Sequence, residues 1–202
     1  MSNKYPGYIK FFVDTETTGT DRKLHRLFQI SGELQDKDGV TLEKINLLFQ
    51  PSCVKHISDE ALEKTGMTVE KLLALPISAQ EAYEKLIGIL SKYCNKYDRA
   101  DKIQIIAYNA GFDTDFLREF WLQNDDDYYG SWFWTPGICV MQAAALFLID
   151  VRGALPNFKL ETLCQSADLG WDATRAHDAE YDIEKTKELF YYLREHTRIF
   201  TE

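Results

Sequence analysis

The chain has 202 residues, 45% of them hydrophobic and 13% aromatic, enough to fill one well-packed core, and one domain spanning residues 1–202 is expected. A net charge of −9 and a pI near 5.0 argue against coating long nucleic acid by general electrostatics, so any grip on a polyanion must be local. No apolar run approaches the roughly 20 residues of a membrane span, and the opening MSNKYPGYIK lacks a signal peptide's apolar middle, so a soluble, cytoplasmic protein with no membrane partner is expected.

Tyr8 to Asp14 carries the β-branched and aromatic content of a strand, and it leads into Asp14-Thr15-Glu16-Thr17-Thr18-Gly19. Residues two apart on a strand face the same way, so Asp14 and Glu16 form a pair of carboxylates that repel unless a cation or a proton lies between them. A polar segment with Arg22, Lys23, His25 and Arg26 follows; its cations either touch phosphates or belong to a solvated loop. Leu27 to Leu34 and Val40 to Phe49 read as two strands joined at the Lys37-Asp38-Gly39 turn. From Ser58 the period becomes helical: Ser58 precedes Ala61 and Leu62, Thr68 precedes Leu72 and Leu73, and Ser78 with Glu81 makes a capping box opening a helix to Tyr93.

Ile103 to Ala107 is an all-apolar run, the pattern of a central strand. It runs into Asn109-Ala110-Gly111-Phe112-Asp113 and a helix to about Gln123. An acidic, aromatic loop occupies Asn124 to Pro136; its Trp132, Phe133 and Trp134 either stack on bases or close the core. Ile138 to Ile149 fits a strand, a helix, or one passing into the other, and Lys159 to Ala167 a short helix. The last helix covers Ala179 to Glu195, with an inward stripe of Ala179, Ile183, Thr186, Leu189, Phe190 and Leu193 and with Glu184, Lys185, Lys187 and Glu188 outward. The order suggests an α+β or mixed α/β layout.

Three places set acids against this pattern. Asp14 and Glu16 end an apolar strand, Asp113 lies in a first helical turn on the side of Leu117, and Asp182 sits on or beside the inward stripe of the last helix. Each alone has a plain explanation, as an ion pair or a cap. Converging, four carboxylates suit hard oxygen-preferring cations, and two such ions about 4 Å apart clamp an in-line attack on a phosphodiester. His177, five residues before Asp182, has the ordinary pKa of a base for the attacking water. Lys159 and Arg175 are candidate phosphate contacts, whereas His25, His56 and His196 read as surface residues. The four cysteines are widely spaced with no C-x-x-C pair, which suggests reduced, buried thiols.

These residues resemble the motifs of the DEDDh-type, DnaQ-like 3′-5′ exonucleases: Asp14 to Gly19 matches D-x-E-T-T-G, Asn109 to Asp113 matches N-x-x-F-D, and His177 to Asp182 matches H-x-A-x-x-D. The resemblance implies a ribonuclease-H-like α/β fold with a mixed five-stranded sheet, its first three strands antiparallel, flanked by helices. It implies two magnesium or manganese ions held by Asp14, Glu16, Asp113 and Asp182, with His177 as general base. The residues around Thr17, Thr18, Asn109 and Phe112 would hold the terminal nucleotide, and nucleoside 5′-monophosphates would leave single-stranded 3′ ends, DNA being favoured. An exoribonuclease and a non-catalytic nucleic-acid-binding module of the same fold are the alternatives, and action alone, as a homodimer or beside a polymerase stays open. Leu155-Pro156-Asn157-Phe158-Lys159-Leu160-Glu161 and the aromatic loop Tyr128 to Trp134 look like the nuclease core of the exonuclease I type, without the further domains that lengthen its groove.

Overall fold

A computed structural model of the chain describes residues 9–176 and 178–197; Tyr8, expected to open the first strand, and His177 lie outside them. Strands β1 (Lys10–Thr17), β2 (Leu27–Gln35) and β3 (Thr41–Leu48) form an antiparallel meander. Helices α1 (Asp59–Thr65), α2 (Val69–Leu73) and α3 (Ala79–Leu90) follow, with Ser58, Thr68 and Ser78 as side-chain N-caps and a complete capping box at Ser78 and Glu81. The third of these helices stops three residues short of Tyr93, where Ser91 takes the C-cap. Strand β4 (Gln104–Ala107) pairs parallel with β1 and passes directly into α4 (Ala110–Gln123).

The acidic loop after α4 holds a short helix, α5 (Tyr129–Trp132), that periodicity did not announce. Ile138 to Ile149 resolves into strand passing into helix: β5 (Ile138–Cys139) pairs parallel with β4 and is followed by α6 (Val140–Phe147). Helix α7 (Leu160–Ser166) and the long α8 (Ala179–Thr197) complete the order. The result is one mixed sheet in the order β3-β2-β1-β4-β5, flanked by helices. No described helix is long and apolar enough to cross a membrane.

The pleat of β1 divides the core in two. Phe11 and Val13, with Ile30 and Leu34 on β2 and Ile105 on β4, pack against α3 and α4 through Leu86, Phe116, Leu117 and Trp121. Phe12 and Ile106 face the opposite side, under α6, α7 and α8, where Phe12 meets the edge of Phe190 at a centroid distance of 5.4 Å. All six residues of the expected α8 stripe are buried. Its expected outward face is different from the pattern: Lys185 is buried and donates to the Leu169 carbonyl and Glu188, and the half-buried Lys187 reaches Glu33 on β2. Long aliphatic stems let both lysines cover apolar surface while their ammonium groups find oxygens. The four cysteines are free thiols, three buried and Cys53 half-buried.

Candidate active site

β1 runs on past Asp14 to Thr17, so both acids of the first motif are strand residues and share the α8 face with Phe12. Thr15 between them points to the other face. Its hydroxyl donates to Oδ1 of Asp113 at 2.8 Å, which ties the first turn of α4 to the end of β1. Because β1 and β4 are parallel and α4 begins where β4 ends, Asp113 necessarily arrives at the same edge of the sheet as Asp14 and Glu16. The fourth acid, Asp182, is half-buried in the first turn of α8, whose start is capped by Asp178: its carboxylate accepts from the amides of Glu180 (3.0 Å) and Tyr181 (3.2 Å).

The electrostatics of these acids is that of one group. Burial pushes Asp14 well above the usual carboxylate range, and the charges of Asp113 and Asp182 push it further. Glu16 is raised to about 8, first by burial, then by Asp14 and Asp182. Asp113, only 5% exposed, is raised to about 7; burial dominates, the Thr15 hydroxyl and nearby amides pull it back, and Glu16 adds to the rise. Among the described residues no three ligating side chains converge as a ready metal cage, so the acids share one field without sharing one point. An all-carboxylate set whose ionisation is opposed by burial and by its own members is a set that a hard divalent cation relieves, and its oxygen donors fit magnesium or manganese.

Beside the acids opens a cleft of about 220 Å³, lined among others by Glu16, Thr17, Gly19, Ser58, Ala61 and Phe112. Thr17 donates to the Gly19 carbonyl at 2.6 Å, and Phe112 stands half-buried against Phe116 at 4.8 Å between centroids. Asn109 occupies the N-cap position of α4, exposed and with no side-chain capping bond. Thr18 lies deeper than Thr17. It is fully buried, its hydroxyl accepts from the Arg26 amide at 2.9 Å, and its carbonyl accepts from the Ser58 amide at 2.8 Å, so its side chain holds the loop together.

The candidate arginines are engaged within the protein. Arg22 is ion-paired with Asp115 and lies 3.9 Å from Glu119, pinning the loop after β1 to α4; Arg26 donates to the carbonyls of Lys23 and His25. Arg175 lies over the Tyr181 ring at 4.5 Å, and Lys159 is the N-cap residue of α7. Trp132 and Phe133 close the core, while Trp134 is 38% exposed. His25, expected on the surface, is half-buried: a Cβ on Gly19 would meet its ring at 2.5 Å, and its Nδ1 accepts from the Asp21 amide at 3.0 Å. The glycine of the first motif is the one local signal of that approach.

No family model matches the chain. Ribonuclease T of Histophilus somni is 26% identical over 206 residues, covering 98% of this chain and 88% of that protein. Ribonuclease T of Haemophilus influenzae is 25% identical over 207 residues, covering 98% and 84%. The fold superposes on Escherichia coli exonuclease I: the zinc-bound complex with single-stranded DNA gives a TM-score of 0.74 at 21% identity over 95% of this chain and 41% of that one. The complex with a dT13 oligonucleotide gives 0.70 at 20% identity over 92% and 40%. The chain is thus similar to the ribonucleases T along nearly its whole length and to the nuclease core of exonuclease I in fold. It spans about two fifths of exonuclease I, whose match fixes the ribonuclease-H-like core, and most of the length of the ribonucleases T. This order of elements is what brings a strand end, a helix start and a second helix start to one end of the sheet.

Proposed function

We propose that the chain is a metal-dependent 3′-5′ exonuclease that shortens single-stranded nucleic acid, DNA favoured, and releases nucleoside 5′-monophosphates. The observation that carries this reading is the group of carboxylates at the end of β1 and the start of α4, each holding its proton more tightly because of burial and of the others. Asp14, Glu16, Asp113 and Asp182 are the residues that would hold two divalent ions. Bound divalent cations supply charge stabilisation for the attacking and leaving oxygens of an in-line displacement. His177 takes the proton of the attacking water. The water oxygen bonds to phosphorus, the bond from phosphorus to the 3′ oxygen of the penultimate nucleotide breaks, that oxygen takes a proton from solvent to become the new 3′-hydroxyl, and the terminal nucleotide leaves as its 5′-monophosphate. Glu16, Thr17 and Phe112 line the cleft in which the 3′-terminal nucleotide rests, with the exposed Asn109 at the α4 end of the site.

Exoribonuclease activity is the second reading, favoured by the ribonuclease T name of the sequence relatives, whereas the structural relatives were captured on DNA. Digestion of 5′- and 3′-labelled single-stranded DNA and RNA with magnesium or with EDTA tests both. The reading expects a 5′-labelled ladder shortening one nucleotide at a time, immediate release of 3′ label as mononucleotide, and neither in EDTA. Internal cuts, or hydrolysis unaffected by EDTA, contradict it.

A further inference from the structure

Cross-strand partners share a face, so the side of the sheet under α8 presents successive rows: Lys10 with Gln35, Phe12 with Glu33, Asp14 with Ser31, and Glu16 with Gln29. The last helix meets these rows with polar side chains in reverse order. Tyr191 donates to Oε1 of Gln35 at 2.6 Å, Lys187 donates to both oxygens of Glu33 at 2.9 Å, and Asp182 comes next, in the first turn. From Tyr191 to Asp182 is nine helical residues, about 13.5 Å of rise, and from the row of Lys10 to that of Asp14 is four strand residues, also about 13.5 Å. The helix and the strand are thus in step, and the Lys187–Glu33 pair is the charged rung between the outer contact and the acids.

Glu33 is 5% exposed and itself fixed, since its Oε1 also accepts from Gln35 Nε2 and Thr41 Oγ1, both at 2.7 Å. Burying such a pair adds little stability over apolar residues of the same size; its use is in specifying one arrangement. The apolar contacts of Ile183, Leu189, Phe190 and Leu193 are not directional and resist a slide along the sheet less well. We propose that Glu33 and Lys187 are positioning residues that fix the axial register of α8 and so the height of Asp182 against Asp14 and Glu16, an inference that rests on the metal-dependent reading above.

The test measures Mn²⁺ binding to the full chain by electron paramagnetic resonance, together with kcat and KM on a single-stranded oligonucleotide and a thermal melt. Lys187→Met keeps the aliphatic stem and removes the charge. It should weaken Mn²⁺ binding and lower kcat by about ten-fold each, with KM for the oligonucleotide unchanged, while Lys187→Arg restores both. A Lys187→Met protein that melts earlier but keeps wild-type Mn²⁺ affinity and kcat overturns the inference and leaves the exonuclease reading standing. Should that variant fail to fold, the double variant Glu33→Gln, Lys187→Gln removes both charges and keeps polar groups; wild-type Mn²⁺ affinity there overturns it equally. A wild-type chain that binds no Mn²⁺ removes the metal-dependent reading and this inference together.

Discussion

Thr15 and Asp113 are 98 residues apart in sequence and 2.8 Å apart in space, and that hydrogen bond opposes the burial that holds a proton on Asp113. A hydrogen bond to a charged group contributes about 1.5–3 kcal/mol. Thr15→Val, of nearly the same shape, should therefore raise Asp113 by one pKa unit or more and move the acidic limb of the pH–rate profile to higher pH; a limb that stays in place contradicts the assignment. Glu16 makes a second prediction, whose sign follows from its rise from 4.5 to about 8. Between those values the folded chain holds a proton that the unfolded chain has released, so in EDTA stability is greatest below the lower value and falls by a few kcal/mol as pH climbs through the upper one. Urea denaturation at pH 5 and pH 8.5 reads this directly. Glu16→Gln should shrink the difference, leaving the share of Asp14 and Asp113, and a wild-type stability that rises over the window refutes it. His177→Ala should lower kcat and remove the basic group from the pH profile; an unchanged rate takes the proton-transfer role away from His177. The repulsion of Asp14 and Glu16 was legible from their spacing, but the Thr15–Asp113 bond was not, because a threonine within a motif gives no sign of which distant acid it will touch.

Among the elements, β2 carries a constraint as severe as any in the chain. A Cβ on Gly32 would run into the Phe11 ring and lie 2.7 Å from the Phe12 carbonyl, a backbone atom that cannot turn aside. Gly32→Ala should cost about 1–3 kcal/mol in denaturant unfolding; a midpoint equal to wild type would mean the β1–β2 contact is looser than described. Helices were legible wherever a periodic apolar stripe met a cap: Ser78 and Glu81 announced α3, and the expected stripe positions of α8 are all buried, joined by Tyr181 and Lys185. Where a charged side chain turned inward the pattern misled. Lys185 and Lys187 look like solvent-facing residues because their partners, Leu169 O and Glu33, lie in other segments and hydrophobicity alone does not identify them. The short α5 escaped for another reason: one turn is too brief for a period, and its Tyr129 and Trp132 are held by packing around Trp121 and Phe133.

In the whole molecule, the mixed sheet explains why acids from three motifs so far apart in sequence come to one end of the sheet. The parallel β1–β4 pair sets two strand ends side by side, α4 starts at one of them, and α8 crosses the sheet face to deliver its own first turn to the same edge. That convergence was legible from the order of motifs and from their resemblance to a known family. The commitments of Thr18, Arg22 and Arg26 were not, since each depends on a loop geometry that composition does not encode. The central claim is that the four acids act together on a phosphodiester. It is tested most directly by following magnesium-dependent release of 3′ label from single-stranded DNA by the wild-type chain and by Asp14→Asn, Glu16→Gln, Asp113→Asn and Asp182→Asn, each checked for an intact fold by circular dichroism. The account predicts that every variant stays folded and that each loses at least about 100-fold in rate, in keeping with the loss of a group that stabilises transition-state charge. A folded single variant that retains the wild-type rate would contradict it.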